Sequence, residues 1–111
     1  MTVDSAEAIV VFMTAADAVE AGRLAEMLIE KRLAACVQIL PEIESVYRWQ
    51  GRIERQREVL LLAKTTRAKF EDLEREVRAA HSYETPEIVA VPLAAGSIPY
   101  LQWLNDSLKE G

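Results

Sequence analysis

Few side chains in these 111 residues are suited to chemistry, and the choice begins with the one histidine, His81, and the one cysteine, Cys36. Imidazole nitrogen and thiolate sulfur are the donors that zinc and copper take. His81 opens the stretch His81-Ser82-Tyr83-Glu84-Thr85-Pro86-Glu87-Ile88, where Glu84 and Glu87 add carboxylates and Tyr83 a phenol. A metal reading therefore draws on Cys36, His81 and Glu84, with Met13 as a further soft donor. No CxxC, HxxxH or HExxH spacing occurs. Two strong ligands do not close a tetrahedral site, so any ion held by this set is expected to be held weakly. Each residue also has a plain structural role. Cys36 suits a small buried position at the start of a strand. His81 suits a helix C-terminus, where it caps carbonyls and favours the dipole. Met13 suits the core. Lys64, beside a buried strand end, suits a carboxylate from a neighbouring subunit or an anion in a cleft. No nucleophile with a placed base is evident, and four glycines form no phosphate loop. The expectation is a protein without catalysis or organic cofactor.

The totals bound the partners. One domain over residues 1–111 is expected from the length. Eighteen acids against thirteen bases give a net charge of −5, which argues against nucleic acid and against an anionic membrane surface as partners. The start, MTVDSAEAIVVFM, carries two acids before its apolar run and no basic leader, unlike a signal peptide. With a single cysteine, that favours the cytoplasm.

The elements that must position these residues follow from periodicity. Ala8–Met13 is an apolar, β-branched run and predicts a buried strand. Thr14-Ala15-Ala16-Asp17 fits a capping box. It leads into a helix with Ala21, Leu24, Ala25, Leu28 and Ile29 on one face, ending near Arg32. Residues 34–50 read as extended, with a bulge or edge position at Pro41 and a turn at Gln50-Gly51. Residues 52–65 run back, solvated at first and then apolar at every position from Val59 to Ala63, as in a strand buried on both faces. Glu54 and Glu58 read as solvated hairpin charges or as partners of Arg52 and Arg57. A second helix, capped by Thr66, carries Phe70, Leu73, Val77 and Ala80. Glu87–Leu93 is a fourth strand. Gly96-Ser97 introduces a last helix with Tyr100, Leu101, Leu104 and Leu108 as its stripe.

The fold class is thus α+β: a ferredoxin-like βαββαβ unit with a long hairpin between its second and third strands and a C-terminal helix. In that topology Cys36 and His81 fall at opposite ends of the second helix, roughly 20 Å apart for about fourteen helical residues. One subunit cannot bring them to one ion. The hairpin tip carries Val46, Tyr47, Trp49 and Ile53, which need a partner because a lone ribbon is marginal.

The segments KRLAACVQILPEIESVYRWQGRIE, EVLLLAKTT, HSYETPEIVAVPL and YLQWLNDSL resemble the CutA divalent-cation tolerance family over nearly the whole chain. The Trp49-Gln50-Gly51 tip followed by Ile53-Glu54 is the most specific match. One departure is visible: Ser82 stands where the family pattern usually has proline, a change expected to loosen the loop. The resemblance implies a cytoplasmic homotrimer, built like the PII-type signalling trimers and linked to copper and other divalent ions. Tyr47, Trp49 and Ile53 are then trimer contacts, and Lys64, Tyr83 and Glu87 line a cleft between subunits. Two other readings stay open: a PII-like small-molecule sensor, and a scaffold whose main property is the trimer.

Overall fold

The computed structural model describes residues 7–109. Four strands form one antiparallel sheet in the order β2-β3-β1-β4, with β1 at Ala8–Ala15, β2 at Cys36–Trp49, β3 at Arg52–Thr66 and β4 at Ile88–Pro92. The helices are α1 (Ala18–Glu30), α2 (Phe70–Ala80) and α3 (Ile98–Ser107), and a 3-10 turn at Arg67–Lys69 precedes α2.

The side-chain alternation of a strand splits the sheet into two unlike faces. Ile9, Val11, Met13 and Ala15 of β1 lie in register with Thr65, Ala63, Leu61 and Val59 of β3. These alternate positions are buried, and the apolar ones form one core with Ala21, Leu24 and Leu28 of α1 and Leu73 and Val77 of α2. Met13 is wholly enclosed there, as plain core. The intervening positions make a second apolar face. Phe12 pairs with Leu62 and Val89, Val10 with Lys64 and Val91, and Leu40 with Leu60. Within one chain Phe12, Leu60 and Leu62 are half-buried, and Leu40, Val89 and Val91 are exposed. Burial of β3 on both faces, expected from its unbroken apolar run, is complete on one face only.

The hairpin runs past the end of β1. Residues 52–58 of β3 have no β1 partner, because Ala15 pairs with Val59. This gives the chain a long dimension of 51 Å against 27 and 23 Å. At the tip Gln50 and Gly51 both have positive φ, 48° and 78°. That is the sign a two-residue type I′ turn requires and is tolerated best by glycine. The ladder is interrupted between Leu40 and Ile43, where Pro41 has no N–H to give. Arg55 pairs with Glu44 and Arg57 with Glu42, diagonally across the strands. Arg57 thus has a different partner from the Glu58 expected. Glu58 is buried.

Local corrections concern caps and faces. Thr14 and Ala15 belong to β1, and the cap is Asp17, whose carboxylate accepts from the Glu20 N–H. Glu20 in turn accepts from the Ala16 N–H, so Asp17 and Glu20 form a capping-box pair whose return bond reaches the residue before the cap. Ile29 turns to solvent, as does Ala80. Thr66 precedes the 3-10 turn and makes no side-chain cap. Helix α1 ends in a left-handed Arg32, φ 57°. The Leu33 N–H reaches back to Leu28 O and the Arg32 N–H to Ile29 O, a Schellman closure with arginine in the usual glycine position. Arg32 also donates from Nη1 to Ser107 O at 2.9 Å, tying the end of α3 to the end of α1. Helix α3 begins after Gly96-Ser97 as expected, with Ser97 as its cap, and Leu101, Leu104 and Leu108 are buried while Tyr100 is exposed.

Candidate functional site: the α2–β4 loop

His81 follows the last residue of α2 in extended geometry, φ −80° and ψ 145°, and its side chain is wholly enclosed. The ring lies between two backbone groups. Nε2 is 2.7 Å from Thr14 O, and Nδ1 accepts from the Tyr83 N–H at 2.9 Å. A carbonyl only accepts and an amide N–H only donates. The imidazole is therefore neutral with its proton on Nε2. Both ring nitrogens are occupied within the chain, so a metal could take His81 only by displacing one of these bonds.

The carboxylate beside it is Glu20, 5% exposed. Besides the Ala16 N–H it accepts from the Ser82 N–H at 2.7 Å and from Ser82 Oγ at 3.0 Å, and His81 Nδ1 lies 3.8 Å away. Burial alone would raise its pKa. The hydrogen bonds from Ala16 and Ser82 stabilise the anion and outweigh burial, leaving the carboxyl below its ordinary value. Ser82 thus fastens the loop to α1 through two donors, instead of loosening it. A proline there would supply neither the N–H nor the hydroxyl.

Tyr83 turns towards the hairpin. Its ring sits 4.7 Å from that of His81. Its hydroxyl donates to Glu58 Oε2 at 2.8 Å and accepts from Gln56 Nε2 at 3.2 Å, and Gln56 Oε1 accepts from Tyr47 OH at 2.7 Å. Burial and the neighbouring Glu58 carboxylate push the phenol above its usual range. Glu84 and Glu87 are exposed. Glu84 borders an open groove with Glu71, Glu74, Arg75 and Arg78 of α2.

The other candidate residues lie elsewhere. Cys36 is half-buried and pairs across the sheet with Lys64, which is level with Val10. His81 touches Thr14 at the opposite end of β1. Cys36, His81 and Glu84 are therefore not gathered in one chain, and no group of three or more His, Cys, Asp or Glu side chains arranged for a metal occurs among the described residues. The Lys64 ammonium lies over the Tyr100 ring at 5.3 Å, away from Tyr83. Tyr47, Trp49 and Ile53 stand exposed along the distal hairpin, Trp49 at 59% and Ile53 at 71%.

Residues 9–107 match the family model of the CutA1 divalent ion tolerance protein. The chain belongs to that family. A divalent-cation tolerance protein CutA of Thermus thermophilus is 47% identical over 98 residues, spanning 88% of this chain and 95% of that protein. The chloroplastic protein CutA 1 of rice is 42% identical, but this chain spans only 58% of it. Among solved structures, the periplasmic divalent cation tolerance protein CutA of Archaeoglobus fulgidus superposes with a TM-score of 0.89 at 39% identity, over 92% of this chain and 99% of that one. The four-stranded antiparallel sheet with three helices is thus the CutA architecture.

Sequence reasoning missed Glu20 of α1 and misread Glu58 of β3, the two buried carboxylates that hold the α2–β4 loop. The signal for Glu20 was present in Asp17-Ala18-Val19-Glu20, which spells a capping box. For Glu58 only its place beside the apolar run of β3 hinted at burial.

Proposed function

We propose that the chain works as a cytoplasmic homotrimer that associates weakly with copper or another divalent cation, by binding and not by catalysis. One observation carries the assembly: the apolar surface left uncovered by a single chain. It includes Leu40, Val89 and Val91 on the open sheet face and Val46, Tyr47, Trp49 and Ile53 on the hairpin, apolar side chains of the kind that mark a contact surface when grouped. Both β2 and β4 are edge strands, so each copy also presents two unpaired ladders. Family membership supports the link to divalent cations. Within one chain Cys36 and the His81 loop lie apart, so the proposed cation set Cys36, His81 and Glu84 is completed between copies. Its use of His81 requires the loop to shift.

Light scattering on the purified protein tests the assembly. A monomer at micromolar concentration would refute it, and Trp49→Ala should weaken the trimer. Calorimetric titration with copper and zinc tests the cation set. If Cys36→Ala and His81→Ala bind as the parent does, that set is wrong.

A second reading, a PII-like small-molecule sensor, has one observation in its favour. Lys64 is half-buried with its ammonium over an aromatic face, a setting that suits an anion in a cleft. Tyr83 and Glu87 would line the same cleft from a neighbouring copy. A ligand bound only by the folded state raises the melting temperature, so a thermal-shift screen of anionic metabolites decides it.

A further inference from the structure

The hydrogen bonds joining the loop to the hairpin have a fixed direction. An ionised Glu58 can only accept, so Tyr83 must donate to Oε2. The oxygen of Tyr83 is then left to accept, which requires the amide nitrogen of Gln56 to face it. The Gln56 carbonyl must then face Tyr47, whose hydroxyl donates to it. One carboxylate thereby orders three successive bonds from an exposed tyrosine on β2 to a buried acid on β3. Bonds aligned in this way polarise one another.

We propose that the Tyr47–Gln56–Tyr83–Glu58 chain couples the 81–84 loop to the distal hairpin, so that a change imposed at either is felt at the other. The placement makes this consequential. Beyond Val59 the hairpin has left β1 behind, and Tyr83 reaches it there at both Gln56 and Glu58. Tyr83 is in turn held by its own N–H on His81 Nδ1, next to the residue that Glu20 clasps. The coupling therefore joins the apolar ledge proposed to mediate assembly to the loop proposed to meet a cation. It rests on that reading for its biological use, and its test requires neither metal nor partner.

The test is amide hydrogen exchange on the intact protein at fixed protomer concentration. Tyr47→Phe removes only the outermost donor, far from the loop in sequence. It should speed exchange at the Ser82 and Tyr83 amides about fivefold, the factor for one hydrogen bond of ordinary strength. Tyr83→Phe should in turn speed exchange through residues 45–57, since coupling is reciprocal. Arg48→Ala, beside Tyr47 but outside the chain of bonds, should leave the loop unchanged. If Tyr83→Phe fails to fold, Gln56→Ala breaks the middle link and serves in its place. The proposal is overturned if Tyr47→Phe alters only the hairpin, or if Arg48→Ala disturbs the loop equally. A failed cation titration would leave the coupling standing, and absence of coupling would leave the proposed function standing.

Discussion

Replacing Glu20 by glutamine changes little in shape and much in hydrogen bonding. Oε1 receives the Ala16 N–H and Ser82 Oγ, and Oε2 receives the Ser82 N–H. Glutamine keeps one oxygen, which can serve Ala16 and the serine hydroxyl. Its NH2 group then faces the Ser82 N–H, donor against donor. Hydrogen bonds to a charged acceptor contribute about 1.5–3 kcal/mol each, with the lower end apt here because water reaches the exposed Ala16 and Ser82 backbone. The substitution also relieves the desolvation of a buried carboxylate, which offsets part of the loss. The net expectation for Glu20→Gln is about 1–2 kcal/mol of destabilisation, and for Glu20→Ala, which strips all three bonds, about 2–4 kcal/mol.

The pH dependence has a definite sign. The folded chain holds the Glu20 carboxyl below its ordinary 4.5, so the unfolded chain takes up that proton first. Its contribution is complete above about pH 4.5 and fades as pH falls through the lower folded value. Urea unfolding from pH 3 to pH 7, at one protomer concentration because assembly shifts apparent stability, should show the parent losing more stability on acidification than Glu20→Gln. Equal acid limbs, or a glutamine variant as stable as the parent at neutral pH, would refute the account of Glu20 as a clasp.

Four further outcomes are expected. Ser82→Pro meets no conflict at the preceding residue, since His81 already has the extended geometry that a following proline demands. It removes both donors to Glu20, and after the gain from a stiffer unfolded chain should cost about 1 kcal/mol by chemical denaturation. In that background Glu20→Gln should cost much less than in the parent, a double-mutant cycle that isolates the clasp. Gly51→Ala has open space for its methyl group but sits at φ 78°, so strain alone should destabilise the hairpin by about 1 kcal/mol. Leu61→Ala, at a fully enclosed position between β1 and the helices, should cost about 2–5 kcal/mol in the same measurement.

Much of the fold was legible because it is written in local periodicity. Val59–Ala63, Leu73 with Val77, and Gln50-Gly51 each state their element without reference to distant residues. The cap of α1 was misplaced by three residues because Thr14 is as good a cap by type as Asp17. The choice fell to Asp17 when β1 extended through Ala15 to pair with Val59. The site was less legible. Glu20 and Ser82 are sixty-two residues apart, and Tyr83 and Glu58 twenty-five. Nothing in either neighbourhood announces that a loop will fold back over a carboxylate. The separation of Cys36 from His81 followed from topology alone. That His81 would spend both nitrogens on backbone groups did not, because it depends on where Thr14 O comes to rest.

The place of β1 in the sheet has a consequence for how the protein is made. It is an inner strand, yet its partners are Thr66 and its neighbours on one side and Pro92 and its neighbours on the other. The β2–β3 hairpin can close on itself as soon as Gly51 is passed by its second arm, whereas β1 must wait for β3 on one side and β4 on the other. At a synthesis rate of about 5–20 residues per second, that wait lasts several seconds. During it AIVVFMTA, apolar and β-branched with no charge within it, stands unpaired beside other nascent chains, and such a segment is an aggregation hazard. β1 is made before either of its partners and is placed only with the later of them, so the yield of folded protein should depend on what shelters residues 8–15 in that interval.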